Sequence, residues 1–244
     1  MPKSFSLPSL KFRQTSLRPL LLCILCVKFF TASADEGMWV PMFLAKYNEA
    51  DMQSKGLKLS ADDIYSVNHA SLKDAVVQFG GGCTGELISA EGLLLTNHHC
   101  GRSRIQTHST LEKNYIENGY WSMNRSEELS NPGLTATFLV RMEDVTSEVL
   151  KTVLPTMTEV ERFTAIEKAS KTLEKKMTEG THYDAKVKEF FGGNEYYIFI
   201  TETFKDVRLV GAPPSSIGEF GGDTDNWMWP RHTGDFSLFR IYAD

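Results

Sequence analysis

The chain has 244 residues, of which 41% are hydrophobic and 23% charged, with a formal net charge of −5. That is an ordinary globular composition, long enough for one large or two small domains. The acidic balance argues against a nucleic-acid partner, which needs a basic face.

Lys3, Lys11, Arg13 and Arg18 precede an apolar run from Leu20 to Phe30, and Ala32-Ser33-Ala34 follows. A basic stretch, an apolar stretch and small residues at a cleavage point are the parts of an export signal. Residues 1–34 are therefore read as a signal peptide and Asp35 as the start of the exported chain, periplasmic or secreted. The run is too short, and too soon followed by acidic sequence, for a stable membrane anchor. The signal carries five basic residues and no acidic ones, which leaves 21 basic against 31 acidic residues in 35–244, a net of −10. Cys23 and Cys26 leave with it. Cys83 and Cys100 remain, an even pair in an exported protein, and are read as a disulfide, with two buried thiols as the alternative.

In residues 35–244, a short helix is expected through Met42, Leu44 and Tyr47. Ser60 is a good N-cap for Ala61-Asp62-Asp63-Ile64. Ser71 to Phe79 reads as the entry to a first strand. Cys83 to Ile88 and Leu93 to Leu95 are short apolar runs around the turn Ala90-Glu91-Gly92, the pattern of a β-hairpin. After Cys100 the sequence turns polar, with a short helix expected around Thr110 to Tyr115 that ends near Gly119. Asn131-Pro132-Gly133 is a turn, and Leu134 to Val140, rich in Thr, Phe and Val, is a strand. Thr158-Glu159-Val160-Glu161 fits a capping box. Val160, Phe163, Ile166, Leu173 and Met177 then recur at helical spacing, so Thr158 to Thr178 is an amphipathic helix packing on the sheet and closed by Gly180. Gly192-Gly193-Asn194 is a turn, Tyr196 to Thr201 and Val207 to Val210 are strands, and Phe236 to Tyr242 is the last apolar run. Short strands with turns between them indicate a mainly β barrel.

The chemistry concentrates at Asn97-His98-His99-Cys100. Read as the end of an extended strand, this stretch points successive side chains to opposite faces, so one histidine alone can serve as a general base. His99, next to the cystine, is the candidate, and His98 faces the barrel or a neighbour. Such a base needs a carboxylate behind it. Asp235 ends a loop and begins an apolar strand, which anchors it; Asp223 and Asp225 lie inside a Gly-rich loop and are less well anchored. No serine sits in a Gly-x-Ser-Gly turn, so a nucleophile is missing. The chain ends just after an apolar strand for which no partner is evident, and the expectation is the N-terminal portion of a longer protein. His98, His99 and Cys100 are consecutive, whereas metal-ligand pairs need a gap. No metal and no cofactor are expected.

The layout of cysteine, small strand, turn, apolar strand, histidine and cysteine is similar to the surroundings of the catalytic histidine in trypsin-like serine peptidases. More specifically, Asp35-Glu36-Gly37-Met38-Trp39, Phe79-Gly80-Gly81-Gly82-Cys83-Thr84-Gly85-Glu86, Leu95-Thr96-Asn97-His98-His99-Cys100-Gly101 and Asp225-Asn226-Trp227-Met228-Trp229-Pro230-Arg231-His232-Thr233-Gly234-Asp235 closely resemble the S46 family of bacterial dipeptidyl peptidases, the dipeptidyl peptidase 7 and 11 type. The resemblance implies the first barrel of a trypsin-like double β-barrel in 35–244, cutting dipeptides from peptides with a free N-terminus. It places the family's histidine on His99, its aspartate on Asp235 and its clamp for the substrate's α-amino group on Asn226 and Trp227. It also implies a homodimer, and a serine beyond Asp244. Arg102 departs from the aromatic residue expected after Cys100-Gly101. The rival reading is an inactive fragment or a peptide-binding module.

Overall fold

The computed structural model describes residues 39–218 and 234–243. The expected hairpin is present as part of an antiparallel meander, β1 (Val76–Phe79), β2 (Cys83–Leu87) and β3 (Leu93–Thr96), with Gly85 opposite both Val77 and Thr96. Its turn depends on Gly92, which sits at φ +72° and would bring a Cβ to 2.4 Å from the Ile241 carbonyl oxygen; a side chain there is excluded both by backbone handedness and by space.

Two short pairs, β4 (Tyr120–Trp121) and β5 (Leu129–Ser130), precede the long β6 (Ala136–Asp144); β7 (Asp184–Phe190), β8 (Glu195–Phe204), β9 (Asp206–Ala212) and β10 (Ser237–Tyr242) follow. The terminal apolar run, for which the sequence offered no partner, is β10, and it has one on each side: Leu238 lies opposite Leu95 of β3, and Arg240 opposite Arg208 of β9. On the other flank β1 pairs with β6, and β6 with β8. Only Lys205 separates β8 from β9. The ribbon therefore returns to itself through one long strand and closes as a barrel of six staves, β1, β2, β3, β10, β9 with β8, and β6. Phe79 of β1 and Phe239 of β10, three strands apart in that order, meet inside with ring centroids 4.7 Å apart. Val77, Leu94, Ala136, Val207 and Leu209 fill the rest of the interior, and each buried aliphatic or aromatic side chain stabilises the fold by roughly 1.5–3 kcal/mol. The Glu128 side chain, 2% exposed, accepts hydrogen bonds from Arg240 Nε and the Tyr242 hydroxyl, both at 2.8 Å, and ties the start of β5 to β10. Two donors compensate the carboxylate for the water it has lost.

Past a register shift between Leu139 and Arg141, β6 and β8 extend beyond the barrel and take up β7, which was not foreseen. The N-terminal arm ahead of the barrel has three short helices, α1 (Leu44–Tyr47), α2 (Glu49–Ser54) and α3 (Ala61–Ile64), the last with the expected capping box on Ser60. In the barrel connections lie α4 (His98–His108) and α5 (Tyr115–Asn118), and over the three-stranded extension lie α6 (Thr146–Leu150) and α7 (Glu159–Thr178). The capping box at Thr158 starts α7 as expected. Its stripe is used only in part. Ile166, Leu173 and Met177 pack on Ile198 and Ile200 of β8, but Val160 and Phe163 at the N-terminal end stay 76% and 67% exposed. A short turn of helix, α8 (Ser215–Gly218), follows β9. Among the described residues no helix is long and apolar enough to cross a membrane.

The expectation of an extended chain at the two histidines is overturned: His98, His99 and Cys100 form the first turn of α4. The two rings still part company, because neighbouring residues on a helix are about 100° apart. His98 is fully buried, with Nε2 3.2 Å from Ser215 Oγ of α8, whereas the His99 side chain is 55% exposed.

Candidate active site

A helix begins with backbone N–H groups that have no intrahelical partner. In α4 the N-cap Asn97 does not supply one from its side chain. Asp235 does so from 136 residues away: its Oδ1 accepts the His99 backbone N–H at 3.1 Å. The other oxygen, Oδ2, lies 2.8 Å from Nδ1 of the same histidine. Asn97 turns its amide outward from the helix start and donates to the Asp235 carbonyl at 3.2 Å and to Oδ2 at 3.3 Å. Ser237 Oγ completes the frame by donating to the Asn97 carbonyl at 2.8 Å.

Burial pushes the Asp235 carboxyl up, but the backbone and ring N–H of His99, the charge of that ring and the backbone of His98 together hold it below the usual aspartate range. An ionised carboxylate can only accept hydrogen bonds. In the neutral form of the imidazole the proton therefore belongs on Nδ1, and Nε2 carries the lone pair, a proton acceptor on an exposed ring. This is the disposition of a general base with its orienting acid.

Cys83 and Cys100 are joined in a disulfide with Cα atoms 6.0 Å apart, which fastens the first turn of α4 to β2. A ring nitrogen of His99 and the two sulfurs lie within 4.8 Å of one another. With both sulfurs engaged in the cystine, neither can offer a thiolate to a metal. Gly101 lets the helix settle onto the barrel: a Cβ there would stand 2.7 Å from Ser237 Oγ and 3.1 Å from the Phe239 ring.

The structure thus brings His99, Asp235, Cys83 and Cys100 to one place. Asn226 and Trp227, and with them Asp223 and Asp225, lie outside the described residues. Asn97 and Ser237 were missed by sequence reasoning. The available signal was an Asn in the N-cap position and a serine two residues after the carboxylate, both ordinary patterns in isolation.

The model of the family described as peptidase S46 matches residues 34–244. Dipeptidyl-peptidase 7 of Capnocytophaga gingivalis is 54% identical over 211 residues, which is 86% of this chain and 30% of that protein. An Asp/Glu-specific dipeptidyl-peptidase of Flavobacterium psychrophilum is 51% identical over 228 residues, 93% of this chain and 32% of that one. The crystal structure of Porphyromonas endodontalis DPP11 superposes with a TM-score of 0.77 at 50% identity, over 86% of this chain and 30% of that one; the same enzyme has been crystallised with the dipeptide Arg-Glu. The chain thus spans about a third of the length of these relatives. With one family model matching residues 34–244 and about half of its residues shared with these relatives, the chain belongs to the peptidase S46 family.

Proposed function

We propose that this chain is the N-terminal part of an exported serine exopeptidase that releases dipeptides from peptides with a free N-terminus. The observation that carries the reading is the double grip of Asp235 on His99, ring and backbone together. In the reaction His99 Nε2 takes the proton of a serine hydroxyl as its oxygen attacks the carbonyl of the substrate's second residue. The same nitrogen then gives that proton to the departing amine, leaving the dipeptide as an ester on the serine; His99 next takes a proton from the water that hydrolyses this ester and returns it to the serine oxygen, with Asp235 stabilising the imidazolium each time. The serine and the oxyanion donors come from sequence outside these 244 residues, in a second barrel facing the one described. Asn226 and Trp227 act at the other end of the substrate. An Asn carbonyl offers an acceptor to the substrate's ammonium group, and a rigid indole beside it closes the cleft after two residues. The basic and apolar pattern of residues 1–34 supports export to the periplasm or outside the cell.

The test is His99→Ala in the full-length protein, with release of dipeptides from a panel of peptides measured by chromatography. The expected loss is about 10²–10⁴-fold or more in kcat, as general base catalysis is removed. Turnover retained at the wild-type level overturns the assignment. The 244-residue chain by itself is expected to be inert toward dipeptidyl reporter substrates, with or without a serine-directed inhibitor.

A further inference from the structure

Asp235 stands just outside the paired part of its strand. The ladder with β3 begins at Ser237 and the ladder with β9 at Leu238. An aspartate in such a place has its main chain and two side-chain torsions to fix before both oxygens can meet one residue. The sheet does not fix them, and a carboxylate that swings takes the imidazole with it.

Asn97 supplies the tie. The register that sets Thr96 opposite Ser237 brings the next residue, Asn97, alongside Asp235. Its amide nitrogen donates to the Asp235 main-chain carbonyl at 3.2 Å and to Oδ2 at 3.3 Å. Both targets accept only, so the NH2 and not the amide oxygen faces them. One group thus grips Asp235 by main chain and carboxylate, as Asp235 grips His99 by main chain and ring. No commoner duty accounts for an asparagine here. It sits at the N-cap of α4 yet makes no side-chain cap bond, and it is exposed, so it fills no core. Its mounting is firm. Ser237 Oγ donates to its carbonyl at 2.8 Å, and Oγ1 of Thr96, the residue before it, donates to the Thr84 carbonyl at 2.7 Å. Both hydroxyl residues are buried.

We propose that Asn97 is a positioning residue of the reaction, acting through Asp235 to hold the His99 ring in its working orientation. It has a second effect on the same atoms. Its N–H shares Oδ2 with Nδ1 of His99, disperses the charge on that oxygen, and so tempers the carboxylate's hold on the imidazolium. The inference rests on the peptidase reading above.

The test uses the full-length protein and dipeptidyl reporters with acidic and with apolar residues at the second position. Asn97→Leu keeps the bulk and removes the donor. In this variant kcat is expected to fall about tenfold, as the reacting groups lose alignment, with KM little changed. The acid limb of kcat/KM, where the base takes up its proton, is expected to move to higher pH. Asn97→Asp keeps the shape, is itself a favoured N-cap, and sets a carboxylate against Oδ2. Here the acid limb is expected to move up by about one pH unit, since added negative charge favours the protonated ring. Denaturant unfolding shows that both variants are folded. Wild-type kcat and pH profile in both variants overturn the assignment and leave the peptidase reading standing. A loss that falls on KM, or that leaves the acid limb unshifted, marks a structural role and overturns it too. Absence of release from every reporter by the wild type overturns the peptidase reading, and this assignment with it.

Discussion

Asp235 holds His99 at two points at once, taking its backbone N–H on one carboxylate oxygen and standing 2.8 Å from Nδ1 with the other. One side chain thus starts the helix and aims the ring, and neither function can be lost without disturbing the other.

Asp235→Asn preserves the shape of the side chain but removes its charge and half of its accepting capacity. In the full-length enzyme kcat is expected to fall by about 10³–10⁴-fold, with binding of substrate much less affected. Steady-state kinetics on a dipeptidyl reporter separates the two parameters. An unchanged kcat is incompatible with the proposed chemistry.

The same carboxylate makes stability depend on pH. Its folded pKa lies below the ordinary value of 3.8, so the unfolded chain binds the proton more readily, and stability rises with pH through that window. The contribution is fully present above the ordinary value and disappears as pH falls through the lowered one. Denaturation midpoints compared between pH 5 and pH 3 are expected to drop more steeply for the wild type than for Asp235→Asn.

Removal of the cystine with Cys83→Ser/Cys100→Ser frees a segment of 17 residues' separation. The expected cost is about 3 kcal/mol in urea unfolding. His99 should also become more exposed to modification, since the first turn of its helix loses its covalent tie to β2.

Glu128 is the buried member of an ion pair with Arg240. Glu128→Ala leaves that guanidinium without its carboxylate and is expected to destabilise the fold by about 3–5 kcal/mol. Glu128→Gln keeps one acceptor oxygen for Arg240 and can turn its NH2 as a donor to the Tyr242 oxygen, and should cost less. A shift in denaturant midpoint without a change in slope is the measurement.

The barrel was legible because its staves are rich in Val, Ile, Leu and Phe and its turns carry glycines, as at Gly92 and Gly133. The helix that bears His99 was not. His98 to His108 contains a single aliphatic side chain, Ile105, so no stripe marks it, and its cap is supplied by a residue far along the chain. β7 escaped because its apolar positions, Ala185 and Val187, alternate with Lys186 and Lys188, and Ala and Lys are depleted in strands. At the site, the pairing of His99 with Asp235 could be anticipated from their flanking residues. The parts played by Asn97 and Ser237 could not, since they work through a main-chain carbonyl and a contact that exists only once β3 and β10 lie side by side.

β10 occupies the slot between β3 and β9 and brings Asp235 with it. During synthesis that slot stays open until the ribosome has passed Tyr242, long after the histidine has emerged. Sealing the cylinder and arming the imidazole are consequently a single event, a late one governed by contacts of high sequence separation. A nascent or partly folded molecule therefore has made its histidine but lacks the carboxylate that caps its helix and aims its ring.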